Sequence, residues 1–427
     1  MRSTRALLLL CVVLVAYGAA PFPVRSDEPV FEPAPLRRIE VEGLRRTRET
    51  VVRDVIALQP GDIVTAAQVE IVEDDIVDTD LFADVSVITR RPPEAPGEVD
   101  LLITVREKWT LIPLPFFATD GSSFSGGLVL LESNLLGRNK QLITAAFAGS
   151  DGFRGFFAYA DPSIRGGSWT GRASAATGDS ERTNELPDGS RLRRFTIRRT
   201  SVAGGLGYRF SRAFRIDTGL RATTRDVNDF RAGIDDRPPE DGVFLEPNLT
   251  FRYDGSRPRG VLRVGPDVQG TSRLVLHGGD PGTDMGWEVT VQAGLSIPVP
   301  VPDRSRARLQ VSGGVAELSP VDSRELSARD GFRTLPYQTS VADRWGGGAV
   351  FYDAPVLNPS WGSIVLTHYW EGGVFDADIH DRQFFGGPGG GFRVYLQEVA
   401  IPALGLDVAY NMVDPGVVFS FSLGMQM

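Results

Sequence analysis

Few residues in this sequence could do chemistry, and they are badly spaced for it. The three histidines, His277, His368 and His380, lie far apart and have no metal-ligand spacing. The one cysteine, Cys11, falls in an apolar N-terminal run, so the rest of the chain has neither a disulfide framework nor thiol chemistry. The glycine-rich stretch from Gly386 to Gly391 precedes an alternating segment, whereas a phosphate cradle needs a helix there. No nucleophile elbow or other hydrolase signature is present. Adjacent acids such as Asp74-Asp75 read as the solvated face of a helix. A net charge of -9 argues against a general nucleic-acid role. The sequence therefore points to work done by binding, with no catalytic residue, no metal and no cofactor.

The elements that must do this work begin with an export signal. Arg2 and Arg5 precede an apolar run from Ala6 to Val15, and Gly18-Ala19-Ala20 offers a small-residue cleavage site. Residues 1–20 are thus expected to be a signal peptide and 21–35 a Pro-rich disordered lead-in. Past this point no apolar run is long enough for a membrane helix.

Residues 36–108 read as a small α/β domain. Arg37 to Gly43 alternates and stops at glycine, as a strand does. Thr47 is placed to cap a helix from Arg48 to Leu58, which Pro60-Gly61 ends, and Thr65 to cap a second one with Val69, Val72, Ile76 and Val77 on its buried stripe. Asp84 to Thr89 begins a second strand. Val99 to Arg106 is nearly continuously apolar and suits a central strand.

From Trp109 to the C-terminus the rhythm is period two. Trp287, Val289, Val291, Ala293, Leu295 and Ile297 share one face and Glu288, Thr290, Gln292 and Ser296 the other. One face carries charges in strand after strand, as a wet lumen would. Sixteen such segments run from 110–118 to 417–426, among them 168–176, 194–210 and 214–224. The longest gaps, near 178–192, 225–241 and 319–345, are expected to be loops at one end; Ser211-Arg212-Ala213 and Pro300 to Arg304 are expected to be tight turns at the other. The tryptophans fall mostly at strand ends, as an interfacial girdle requires. The reading is a mainly β chain, a 16-stranded antiparallel transmembrane β-barrel over 109–427 in an outer membrane, closed with no free edge. The final strand sets Phe419, Phe421, Leu423, Met425 and Met427 on one face.

The order β-α-α-β-β over 36–108 resembles the POTRA (polypeptide-transport-associated) domain. The Ile39-Glu40-Val41-Glu42-Gly43 opening, the Leu81-Phe82-Ala83-Asp84-Val85 junction and the closing Val105-Arg106-Glu107-Lys108 carry the resemblance. A POTRA domain followed by a barrel resembles the Omp85 superfamily (bacterial surface antigen D15-type barrel). Glu132 to Arg138 looks like the turn after that family's second barrel strand and Tyr159-Ala160-Asp161-Pro162 like the end of its fourth. The resemblance implies assembly or translocation of polypeptides without catalysis, a periplasmic POTRA domain, outer-membrane lipid around the barrel, and unfolded clients, periplasmic proteins and accessory lipoproteins as partners. A passive outer-membrane channel or structural barrel is the alternative. An exposed POTRA edge strand with Val85, Val87 and Thr89 would take a client by strand addition. The seam between first and last barrel strands would open, and Pro113 and Pro115 remove two ladder donors there. The last strand resembles the family's C-terminal assembly signal, with Met427 where an aromatic residue is usual. The family's long inward loop carries an Arg that pairs with a barrel acid. Five segments follow Arg333, the number that the family requires, and only two follow the segment of Arg393. Arg333 with Glu371 is therefore the expected pair, with Thr334 and Leu335 departing from the family's Gly-aromatic.

Overall fold

The computed structural model describes residues 32–423, apart from 120–123, 150–151, 186–189, 237, 279–284, 319–324, 327–330, 336–339, 378–379, 400–403 and 414. The signal segment, Met425 and Met427 lie outside these residues.

The N-terminal domain is built from β1 (Ala34–Glu42), α1 (Glu49–Val55), the short β2 (Ile63–Val64), α2 (Ala66–Val77), β3 (Phe82–Arg90) and β4 (Val99–Glu107). Its sheet order is β2-β1-β4-β3. The nearly continuous apolar run is the central strand β4, with Leu101 and Ile103 fully buried, and β3 is an edge. Thr65 caps α2 in a full capping box with Gln68. Thr47 does not cap α1: the N-cap is Arg48, with no side-chain bond. The Thr47 hydroxyl is buried and accepts instead from Asn134 Nδ2 at 2.8 Å, in the barrel. That partner is 87 residues away, so the local signal misassigns the hydroxyl.

The barrel runs β5 (Leu111–Thr119), β6 (Phe124–Glu132), β7 (Gln141–Gly149), β8 (Gly152–Asp161), β9 (Trp169–Glu185), β10 (Arg191–Arg209), β11 (Phe214–Ala232), β12 (Gly242–Asp254), the three-residue β13 (Arg257–Arg259), β14 (Leu262–Gly278), β15 (Met285–Val299), β16 (Ser305–Glu317), β19 (Arg344–Leu357), β20 (Gly362–Ala377), β21 (His380–Leu396), β22 (Leu404–Asn411) and β23 (Gly416–Leu423). Each strand lies beside the next, and β23 lies beside β5, so the sheet closes on sixteen long strands. The small hairpin β17 (Glu325–Leu326) and β18 (Ser340–Val341) belongs to the loop between β16 and β19.

Alternation sorts the wall as expected. Val202, Leu249, Val350 and Phe419 face outward and are exposed, while the charges at Arg273, Glu288, Arg306 and Asp353 face inward and are paired. Two expectations fail. The gap near 178–192 is mostly strand and that near 225–241 is strand as far as Ala232: β9, β10 and β11 run for 17, 19 and 19 residues. A strand of about 9–11 residues crosses the hydrocarbon, so these three project well past it. There the outer face meets water in place of lipid, so the apolar alternation ends although the ladder continues, while Leu192, Phe195 and Ile197 of β10 stay buried. Trp345 is the second: it is 8% exposed and faces the lumen, not the interface.

Among the described residues the strands about the seam are short: β5 and β6 have 9 residues each, as β7 does, and β22 and β23 have 8, close to the minimum that spans a bilayer.

The end of the POTRA sheet far from the barrel is held by one carboxylate. Asp100 is fully buried and takes a fork from Arg37, Nε at 2.7 Å and Nη2 at 2.6 Å, with Arg38 Nε at 3.2 Å. The hydrogen-bonded Arg37 guanidinium holds this carboxyl down at about 2. A depressed folded-state pKa gives stability that is complete above the ordinary carboxylate range and is lost as pH falls toward 2. Amide exchange at Arg37–Ile39 and Val99–Leu101 in the full-length protein should accelerate between about pH 4 and pH 2, and Asp100→Asn should remove that pH dependence.

Candidate functional site

Three places bring the sequence-derived residues together: the inward loop, the seam, and the POTRA edge with its mount on the barrel.

The loop between β16 and β19 folds into the barrel. Leu326, Phe332 and Leu335 pack with Trp345, Phe375 and Phe385 as an apolar core at the loop end of the lumen. Glycine makes room for it: a Cβ on Gly347 would stand 2.8 Å from the Phe332 ring. Val341 of β18 packs with Leu192 of β10 and Ala377 of β20, strands from nearly opposite walls. The projecting strands thus grip the loop across the barrel mouth.

At its tip the geometry departs from a simple ion pair. Glu371 is 1% exposed, and its Oε1 accepts from the Thr334 N–H at 2.5 Å and the Thr334 hydroxyl at 2.7 Å. Arg333 stacks its guanidinium on Phe351 (4.6 Å to the ring centre) and Tyr369 (5.1 Å). No ion pair joins Arg333 to Glu371 among the described residues; they are neighbours through Thr334. The residue that departs from the family motif supplies both hydrogen bonds that Oε1 accepts, from its hydroxyl and its main-chain N–H, while Oε2 is buried without a hydrogen-bond partner among the described residues. Arg393, the competing candidate, is a strand residue bonded to Asp407.

At the seam, β5 presents Leu111 and Pro113 outward. Its entry is strapped to the turn before β22: the Trp109 N–H donates to Glu398 O at 2.7 Å, and Arg106 pairs with the Glu398 carboxylate. Among the described residues Phe419, on the outer face of β23, is the most exposed large apolar one, at 77%.

On β3, Val87 is buried and Val85 partly buried against the POTRA core, while Ile88 is 53% exposed. The side chains of Val85 and Val87 are therefore structural; what the edge offers is main chain. Glu73 of α2 sits against the Val87 N–H.

The mount was not legible in the sequence. Asp74 and Asp75 are not a solvated face. With Asp78 they receive Arg212 from the turn before β11, Asp75 at 3.0 Å and Asp78 at 2.9 Å, and Arg263 of β14 reaches Asp78 at 2.7 Å. The Arg48 N–H also donates to Gly137 O at 2.9 Å, in the turn before β7. Together with Asn134 and Glu398 these bonds fix the POTRA domain to turns around much of one barrel end. The histidines have structural roles: His277 stacks on Phe244 at 4.7 Å, and His380 Nε2 bonds Val341 O at 2.7 Å.

Residues 34–108 match the POTRA family model, described as a surface antigen variable number repeat. The fold resembles BamA from Haemophilus ducreyi lacking POTRA domains 1-3 (12% identity, TM-score 0.52, 91% of this chain and 84% of that one). It also resembles CdiB from Acinetobacter baumannii (13%, 0.58, 91% and 73%) and CdiB from Escherichia coli (12%, 0.51, 99% and 95%). The described residues share the fold of these structures, a POTRA-matching domain followed by a closed barrel. No curated protein matches the sequence.

Thr334→Val removes one bond to a buried carboxylate and should weaken loop anchoring by about 1–3 kcal/mol. Limited proteolysis of the folded barrel should then cut within 318–343 markedly faster; unchanged cleavage would rule out this anchor. Arg212→Glu should broaden the distance between spin labels at positions 70 and 304, and adding Asp75→Arg should narrow it again.

Proposed function

We propose that this protein is an outer-membrane protein assembly or polypeptide translocation factor of the Omp85 type, with its POTRA domain in the periplasm. The carrying observation is the edge strand β3, with only one strand neighbour, on a domain bonded to the end of a barrel whose first and last strands are among its shortest. An unfolded client would add a strand along Val85, Val87 and Thr89 through main-chain bonds, displacing Glu73 from the Val87 N–H. It would then pass to the seam between β5 and β23. Pro113 and Pro115 lower the hydrogen-bonding capacity of β5, so the seam costs less to open than a fully donating strand would. Phe419, Phe421 and Leu423, followed by Met425 and Met427, would serve as this chain's own assembly signal. Arg333, Thr334 and Glu371 would keep the inward loop seated while the seam moves. Periplasmic proteins and accessory lipoproteins would meet the exposed POTRA face. No step in this scheme forms or breaks a covalent bond, so no catalytic residue is assigned.

The apolar loop core inside the lumen argues against the passive-channel alternative, because a wide conducting pore needs a wet, open path.

Depleting the protein in its host should remove a defined set of barrels from the outer membrane and leave their precursors in the periplasm, read by quantitative proteomics. An unchanged outer membrane, together with steady conductance of the purified barrel, would replace the assembly reading by the channel. A disulfide between β5 and β23 should abolish client assembly reversibly; activity that survives the cross-link would exclude a lateral seam.

A further inference from the structure

The inner wall of the barrel is not chemically uniform. Cross-strand register carries each inward position from one strand to the next. On β5 to β8 the inward positions include Ile112, Val129, Leu131, Ile143 and Phe156, with Phe147 opposite Arg154 at one end of the wall. The outward positions of the same strands are also apolar, with Leu128, Phe153 and Phe157 exposed at 43%, 55% and 44%. A barrel with a wet lumen alternates apolar-out with polar-in, as β14 to β16 do here. Phe156 is 39% exposed inside the barrel, and Val129, Leu131, Ile143 and Phe147 are only half-buried. Among the described residues the loop core packs around Trp345, Phe375 and Phe385, on other strands. Apolar surface left in water costs about 25 cal/mol per Å², and a contiguous patch of it marks a binding surface.

The next strands supply a floor and a charged rim. The row from Ile143 continues through Ala158, Ser174 and Ala203 to Arg221. The row below continues through Ala160 and Arg172 to Gly205 and Gly219. Small side chains keep this floor low. Arg221 is exposed, and its cross-strand neighbour Glu246 is already bonded to Arg273 at 2.8 Å and to Thr223 at 3.2 Å. Arg172 lies over Gly205 and Gly219 and donates to the neutral Asn248 at 3.1 Å.

We propose that this trough holds one anionic phospholipid, its acyl chains on the apolar wall of β5 to β8 and its phosphate at Arg172 and Arg221. Charge selects the class: an apolar wall ending at two arginines suits an anionic amphipath, and a zwitterionic lipid would bring a cation to the same rim. Position favours a lipid over a peptide: the wall ends at β5, and opening of the β5–β23 seam, as proposed above, would bring bilayer lipid to it. The site itself stands on register and chemistry; only its route of entry rests on the assembly reading.

The test uses the full-length protein in phosphatidylcholine nanodiscs, with Cys11 replaced by Ser wherever it is retained. One variant carries a fluorophore on Ala158→Cys, facing inward, and a control carries it on Phe157→Cys, facing outward. Phosphatidylglycerol with brominated acyl chains should quench the inward label saturably, at about one lipid per barrel. Brominated phosphatidylcholine should leave that label bright, while both lipids quench the outward one. Arg172→Gln with Arg221→Gln should raise the half-saturating concentration roughly tenfold or more, and Arg172→Lys with Arg221→Lys should restore it. An inward label untouched by phosphatidylglycerol, or quenched equally by both lipids, would overturn the proposal. So would a label that responds only to an added unfolded polypeptide, which would assign the trough to a protein client.

Discussion

Hydrocarbon offers no partner to a main-chain N–H or C=O, so a sheet within it must close on itself. Everything else in this structure depends on that constraint. It forces β23 to lie beside β5 and fixes which residues face lipid and which face the lumen. The one joint in the ladder that chain continuity does not enforce is the seam. There the strands are short and β5 carries two prolines. The wall is continuous because it must be, and weakest where its ends happen to meet.

Inside the wall the problem is inverted. Charges taken from water need partners with good geometry, or the desolvation cost is not offset. The barrel meets this with cross-strand pairs such as Arg306–Asp353 and Arg393–Asp407, and with the inward loop. One oxygen of Glu371 is held by a loop residue, Thr334, while Arg333 rests on aromatic faces. The loop therefore serves as a structural part of the lumen, gripped by strands that project beyond the membrane for this purpose. On β5 to β8 the described residues are mostly apolar on both faces, which sets this part of the wall apart from the rest of the barrel.

The POTRA domain is mounted by polar contacts rather than by a shared apolar core. Arg212 and Arg263 meet an acidic cluster on α2, Asn134 meets Thr47, and the strap at Glu398 ties the linker to the turn before β22. Such an interface is specific in register yet weak in water and sensitive to salt. It suits a domain that holds a position without being fused to the barrel.

The sequence by itself determined the architecture. Alternation with charges on one face made the chain a barrel, the β-α-α-β-β order with its near-continuous last strand made residues 36–108 a POTRA domain, and counting strands located the inward loop. These signals are local: each depends on which side of one strand or helix is wet. Only the tertiary structure decided what lies across space. It gave Glu371 to Thr334 rather than Arg333, turned Asp74 and Asp75 from solvent toward Arg212, took Thr47 from its helix and gave it to Asn134, and extended β9 to β11 beyond their alternating cores. In each case the deciding partner is far away in the chain or the outer face meets water in place of lipid, so no periodicity records it. Hydrogen-bond satisfaction of buried and interfacial polar groups is a property of the assembled fold, whereas burial pattern is written along the chain.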